Sequence, residues 1–209
     1  MILKEIDSRE MAALYGLVLA GGRSVRMGRD KGAMVWHGTE QRVYAADLLS
    51  NFCEKVFISC RAGQEDDLRG SYPLLVDSVE GSGPIVALLT AFEHRADVAW
   101  LVLACDLPLI TGATLAFLSA NRDENLLATT FKSPFDDLPE PLVTIWEPAA
   151  APILRQHLID GFRCPRKALI RNEGGIKLLS PPSPDDLMNT NTPEDAEQVV
   201  QILAQRAKI

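Results

Sequence analysis

An α/β fold, with a mainly parallel central sheet flanked by helices on both faces, is what the sequence predicts, and three observations predict it. Short apolar runs that do not alternate with polar residues, at 16–20 and 98–104 above all, have the character of strands buried on both faces. Between such runs lie segments with apolar residues at helical spacing, so strands and helices alternate through the first half of the chain. The helices also carry start signals, with proline at Pro84 and Pro193 and threonine at Thr111 and Thr192.

Residues 1–14 mix charge with Ile2, Leu3, Ile6, Met11 and Leu14, and suit either an extra helical turn or a loose lead-in. The first strand is expected at 16–20. Tyr44, Leu48, Leu49 and Phe52 recur at helical spacing and predict a helix over 41–51. Strands at 55–59 and 74–76 follow, the second ending on Asp77. A loop over 78–83 then leads into a helix from Pro84 to about Arg95. The most apolar strand, 98–104, belongs at the sheet centre and ends in Cys105 and Asp106. Thr111 is placed to cap a helix over 112–121. The second half changes style. Strands at 126–130 and 142–146 flank a stretch with Pro134, Pro139 and Pro141, expected as a loop over a cleft. Helices over 148–158 and 166–171, with Gly161 between them, precede a strand at 176–179. Prolines at 181, 182 and 184 predict an extended, irregular segment. A closing helix begins at Thr192, with Pro193 in its first position and Glu194 and Asp195 in its first turn.

A length of 209 residues fits a single domain, with 1–14 as an N-terminal extension. At 47% hydrophobic and 23% charged, the chain has apolar residues enough for a sizeable core. A net charge of −7 argues against a nucleic-acid binder, which needs basic surface to displace counterions. Against that acidic background Arg23, Arg26, Arg29 and Lys31 cluster beside Gly21 and Gly22. Such a cluster reads either as solvated loop charge or as a patch for a small anion, and the glycines favour the anion. No apolar run reaches the length of a membrane span, and the first residues break into acids too early for a signal peptide. A cytoplasmic protein without membrane contact is expected. Cys53, Cys60, Cys105 and Cys164 show no C-x-x-C pairing, and with three histidines they make no case for zinc. They are expected to act as small buried hydrophobes.

Three of the expected strands end on chemically useful residues: Gly21 and Gly22, Asp77, and Asp106. In an open parallel sheet, ligands bind beyond the carboxyl ends of the strands, where strand order reverses. Glycines let a backbone approach phosphates closely and present its amides to them. Arg26 and Lys31 supply charge for a phosphate whose bond is breaking. One carboxylate is enough to hold magnesium, which keeps several waters and takes other ligands from phosphates. The bland alternative for either aspartate is a turn former at a strand end. The glycine loop is neither G-x-x-x-x-G-K-[ST] nor G-x-G-x-x-G, which disfavours a P-loop hydrolase and a dinucleotide oxidoreductase.

The loop Leu19-Ala20-Gly21-Gly22-x-Ser24-x-Arg26-Met27-Gly28-x-Asp30-Lys31 resembles the signature of the molybdenum cofactor guanylyltransferases, the MobA family, within the nucleotidyltransferases of Rossmann-like fold. The likeness continues in order with Asp77 and Gly83-Pro84-Ile85, with Cys105-Asp106-Leu107-Pro108, with Glu140-Pro141-Leu142, and with Asn189-Thr190-Asn191-Thr192-Pro193-Glu194-Asp195. It covers residues from about 16 to 200.

The resemblance implies transfer of GMP from GTP to molybdopterin, forming the guanine dinucleotide cofactor and releasing pyrophosphate. By the same resemblance Leu19, Ala20, Gly21 and Gly22 meet the nucleotide, Lys31 its phosphates, and Asp77 the region of the nucleoside. Asp106 holds Mg2+, Arg26 steadies the triphosphate, and Asn189 and Asn191 face the reacting phosphates or the pterin. Transient contacts with other proteins of molybdenum cofactor biosynthesis are implied too. Three positions depart from the family pattern. Ser59 stands where some members place an asparagine that contacts the nucleotide. Thr39-Glu40-Gln41 replaces K-P-L, and Ala87 replaces the final glycine of G-P-L-x-G. Two rival readings remain: a cytidylyltransferase acting on the same cofactor, and a nucleotide-binding module without turnover. Gly22 favours the guanylyl version over the first, because that sister family more often has L-A-A-G. Lys31 and Asp106, both present, oppose the second.

Overall fold

A computed structural model of the chain describes residues 11–20, 30–66, 68 and 70–207. Seven strands form one sheet in the order β3-β2-β1-β4-β6-β5-β7. β1 (Leu14–Leu19) pairs in parallel with β2 (Lys55–Cys60) on one side and with β4 (Ala99–Ala104) on the other, and β2 pairs in parallel with β3 (Leu74–Val76). β6 (Pro139–Trp146) runs antiparallel between β4 and β5 (Ala128–Lys132), and β7 (Ile176–Leu179) closes the edge parallel to β5. All six residues of β4 are buried and the strand is the fourth of seven, as its unbroken apolar run predicts.

The pleat divides the apolar residues between two cores. Leu17, Trp100 and Val102 point to one face, where α2 (Pro84–His94), α4 (Ala150–Ile159) and α5 (Pro165–Arg171) supply Leu88, Leu89, Leu154 and Leu169. Val18, Leu101 and Leu103 point to the other, against Ala45 and Leu49 of α1 (Gln41–Leu49) and Leu115 and Leu118 of α3 (Gly112–Ala120). Helices therefore cover both faces, and each fully buried large side chain contributes about 1.5–3 kcal/mol to holding them there. The last helix, α6 (Pro193–Arg206), opens on a complete capping box: Thr192 Oγ1 accepts from the Asp195 amide, and the Asp195 carboxylate accepts from the Thr192 amide.

Four expectations need correction. β1 starts at Leu14 rather than 16, because Tyr15 is buried against Phe57 and Trp100. The proline stretch of the second half is not a loop over the cleft. Pro139 and Pro141 lie inside β6, and only 133–138 remain as a hairpin turn. Proline is tolerated there because Pro139 is the first residue of its strand and the register shifts at Thr130 and Lys132. The segment expected to be extended at 181–184 ends in a 3-10 turn over Pro184–Leu187, held by the buried Asp186. Finally, Cys60 and Cys105 are buried, but Cys53 is half-buried and Cys164 is exposed at the start of α5.

Candidate active site

From β1 the chain moves outward to β2 and β3, then returns to add β4 on the other side, so strand order reverses between β1 and β4. Beyond the carboxyl ends of these strands lies a cavity of about 690 Å³. Leu19 and Ala20 from the end of β1, Ser59 in β2 and Arg61 just after it, Asp77 after β3, and Cys105 and Asp106 after β4 contribute to its walls. Register explains the convergence. Leu19 is level with Ala104, which puts Ala20 beside Cys105, and Cys60 is level with Val76, which puts Arg61 beside Asp77. The fourth side is the loop Glu80-Gly81-Ser82-Gly83 and the first turn of α2. Gly83 has φ 91° and a Cβ there would stand 3.1 Å from the carbonyl oxygen of Arg163, so only glycine fits this wall. The amino end of α2 lends the cavity a positive dipole.

Lys31 enters from the opposite side, on a 3-10 turn over Lys31–Ala33. Asp30 caps this turn by accepting from the Gly32 amide at 2.9 Å, and its other oxygen accepts from Arg42 Nη1 at 3.0 Å. Arg42 also donates to Glu40 at 2.7 Å, which ties the turn to α1. From this fixed base Lys31 Nζ donates to Asn191 Oδ1 at 2.6 Å and stands 3.4 Å from Asp106 Oδ2. Asn191 is held in turn by its own amide, which donates to Asp195 at 2.8 Å, and by its neighbour Thr190, whose amide donates to the Asp106 carbonyl at 2.8 Å. Three residues far apart in sequence thus meet at one edge of the sheet.

The electrostatics of the two aspartates differ from those of ordinary surface carboxylates. Burial pushes the Asp106 carboxyl above its usual value of 3.8, and Lys31 pulls it back only in part. Burial likewise raises Asp77, against the opposing pull of the Ser59 hydroxyl and the Arg61 guanidinium. Among the described residues, Asp106 Oδ1 and Asp77 Oδ1 are both buried with no hydrogen-bond partner. Buried polar atoms are rarely left so. Cys105, between β4 and Asp106, is inert by contrast: burial pushes its thiol up to about 12.

Of the residues singled out from sequence, Leu19, Ala20, Lys31, Ser59, Asp77 and Asp106 line the cavity, and Asn191 touches it through Lys31. Asn189 is half-buried on the same loop as Asn191 but is not part of the cavity wall. Gly21, Gly22 and Arg26 lie outside the described residues. Arg61 went unnoticed in the sequence. The hint it offered was its place directly after an apolar strand, level with an aspartate at the end of the next.

A mainly parallel sheet with a cavity at its switch point, where a lysine and two under-satisfied carboxylates stand in the wall, defines an α/β protein with its candidate ligand site at the carboxyl ends of its strands. A family model described as the MobA-like NTP transferase domain matches residues 16–174, and the chain belongs to that family. It is 36% identical over 187 residues to a molybdenum cofactor biosynthesis bifunctional protein of Synechocystis sp., covering 89% of this chain and 53% of that one. The chain therefore spans about half the length of this relative. It is 30% identical over 180 residues to a molybdenum cofactor guanylyltransferase of Pseudomonas entomophila, covering 85% of this chain and 93% of that one. In fold it is similar to the crystal structure of molybdopterin-guanine dinucleotide biosynthesis protein A from Archaeoglobus fulgidus, with a TM-score of 0.71, 21% identity, and 91% and 99% of the two chains covered.

Proposed function

We propose that this chain is a cytoplasmic molybdenum cofactor guanylyltransferase: a single nucleotidyltransferase domain that transfers GMP from GTP to molybdopterin and releases pyrophosphate. Membership of the MobA-like family and the guanylyltransferase relative support this reading, and no described helix is long and apolar enough to cross a membrane. The observation that carries it is the meeting of Lys31, Asp106 and Asn191, residues 75 and 160 positions apart, at the mouth of the cavity.

In the reaction a phosphate oxygen of molybdopterin attacks the α-phosphorus of GTP, and the bond to the β-phosphate oxygen breaks. The nucleophile is already an anion at neutral pH, so the protein has little proton chemistry to perform. Its work is positioning and charge neutralisation. Lys31, fixed through Asp30 and Arg42, brings a positive charge to the phosphates without any rearrangement of its backbone. Leu19, Ala20, Gly21 and Gly22 carry the nucleotide past the end of β1, with Ser59 and Asp77 toward the base and sugar. Arg26 steadies the triphosphate. Asn191, hydrogen-bonded to Lys31, and Asn189 on the same loop face the acceptor.

Asp106 fits a magnesium ion. Its Oδ1 is buried and unpartnered, and among the described residues no group of three His, Cys, Asp or Glu gathers to ligate an ion unaided. A single carboxylate with phosphate oxygens completing the shell is the usual pattern for this ion. When bound it supplies positive charge to the phosphate oxygens. The test is pyrophosphate release from GTP and from CTP, side by side, with molybdenum-loaded molybdopterin as acceptor. Release from GTP is expected. Release from CTP alone makes the chain a cytidylyltransferase, and release from neither leaves a binding module.

A further inference from the structure

We infer that Arg61 reads the nucleotide base, its guanidinium engaging the O6 and N7 edge of guanine while Asp77 takes the N1 and N2 donors; this rests on the guanylyltransferase reading. Arg61 follows β2 directly and lies beside Asp77 at the sheet edge, because Cys60 is level with Val76 and the Asp77 amide donates to the Cys60 carbonyl at 2.8 Å. Both side chains line the cavity on the β2–β3 side, away from the phosphate edge marked by Lys31 and Asp106.

The arginine is held but not used up. Gln64 Oε1 accepts from the Arg61 backbone amide at 3.1 Å and from its Nε at 3.2 Å. Its Nη groups make no hydrogen bond among the described residues, and it forms no ion pair with Asp77, although its charge draws the Asp77 carboxyl down. Asp77 keeps one buried oxygen without a partner. A half-buried guanidinium and a carboxylate sharing one wall, each with unmet capacity, ask for a planar ligand with two acceptors on one edge and donors on another. Guanine has both: O6 and N7 accept the arginine fork, and N1–H and N2–H donate to a carboxylate. Cytosine has no N7 and offers Asp77 a single amino group. Gln64 acts at one remove, as the positioning residue that keeps the fork aimed.

Base analogues test this without altering the protein. Pyrophosphate release is measured with GTP, 7-deaza-GTP and CTP in the wild type, Arg61→Ala, Arg61→Lys and Gln64→Ala. A wild-type loss of about threefold to tenfold in kcat/KM on removing N7 is expected, the scale of one of the two bonds in a bidentate pair. Arg61→Ala is expected to bring GTP below the wild-type 7-deaza-GTP level, because the bond to O6 is lost too, and to abolish the difference between the two nucleotides. Arg61→Lys is expected to restore it only in part, because an ammonium can donate to O6 and N7 but lacks the planar fork and the reach of the guanidinium. In Gln64→Ala the discrimination shrinks while CTP turnover stays as it was. Equal use of GTP and 7-deaza-GTP by the wild type overturns the assignment, as does undiminished discrimination in Arg61→Ala. If the wild type turns over neither GTP nor CTP, the guanylyltransferase reading falls by itself. Equilibrium dialysis of GTP against 7-deaza-GTP then decides the role of Arg61 alone, equal affinities overturning it.

Discussion

Two pairs of carboxylates in this molecule, one half-buried and one buried, are treated in opposite ways. At the parallel half of the sheet, Asp77 and Asp106 each keep a buried oxygen without a partner among the described residues. Elsewhere, Glu147 after β6 and Asp186 before α6 are satisfied on both oxygens. Glu147 takes a bidentate fork from Arg122 at 2.7 and 2.9 Å with both side chains nearly sealed from water. Asp186 accepts from Thr111 at 2.9 Å, from Thr114, and from Arg206 at 2.7 Å. A scaffold carboxylate spends all its hydrogen-bonding capacity on the protein. One kept for a ligand leaves capacity over, at a cost of about 1–3 kcal/mol per unsatisfied group. The contrast separates function from architecture without appeal to any motif.

Removing a member of each set gives opposite outcomes. Asp106→Ala is expected to abolish pyrophosphate release, by about a thousandfold or more, since a preorganised charge at the reacting phosphates is lost. Thermal melting is expected to be unchanged or slightly higher, because an under-satisfied buried group goes with it. Full magnesium-dependent activity in that variant would remove Asp106 from the site. Arg122→Met reverses the pattern. It leaves the Glu147 carboxylate buried without its fork and is expected to lower stability by about 3–5 kcal/mol, read by urea unfolding. Turnover per folded molecule should not change. Adding Glu147→Gln is expected to recover much of that stability, because the buried charge is then gone.

Residues whose information is local could be read from the sequence. β4 was visible as an apolar run, α2, α3 and α6 by their proline and threonine starts, and Asp77 and Asp106 by standing where apolar runs stop. What escaped depends on register and distant pairing. Nothing near Asn191 says that its side chain meets Lys31, because the contact exists only once the Thr190 amide docks on the Asp106 carbonyl beyond the end of β4. Arg61 becomes visible only when β2 and β3 are set level. The pairing of Arg122 with Glu147, across 25 residues, has no periodicity to betray it. Pro139 and Pro141 misled for a related reason. Proline marks loops on local grounds, and a register shift between neighbouring strands overrode that preference.

The smallest effect expected lies between the two sets, at Asp195. Its carboxylate caps α6 by accepting from the amides of Asn191 and Thr192 at 2.8 and 2.9 Å, so it is structural, yet it also fixes the backbone from which Asn191 reaches Lys31. Those two amides, foremost that of Asn191, hold the Asp195 carboxyl below its ordinary 3.8. A folded value below the unfolded one means that the unfolded chain binds the proton more readily. The capping contribution is therefore complete above pH 3.8 and fades as the pH falls through the lower folded value. Asp195→Ala is expected to cost about 1 kcal/mol at neutral pH, the scale of a lost helix cap, and to remove that part of the acid sensitivity. Turnover should fall only a few-fold, because Asn191 keeps its side chain but loses its anchor. A variant with wild-type stability at neutral pH and an unchanged acid unfolding profile would show that the cap is redundant. A thousandfold loss of turnover without loss of stability would instead move Asp195 into the company of Asp106.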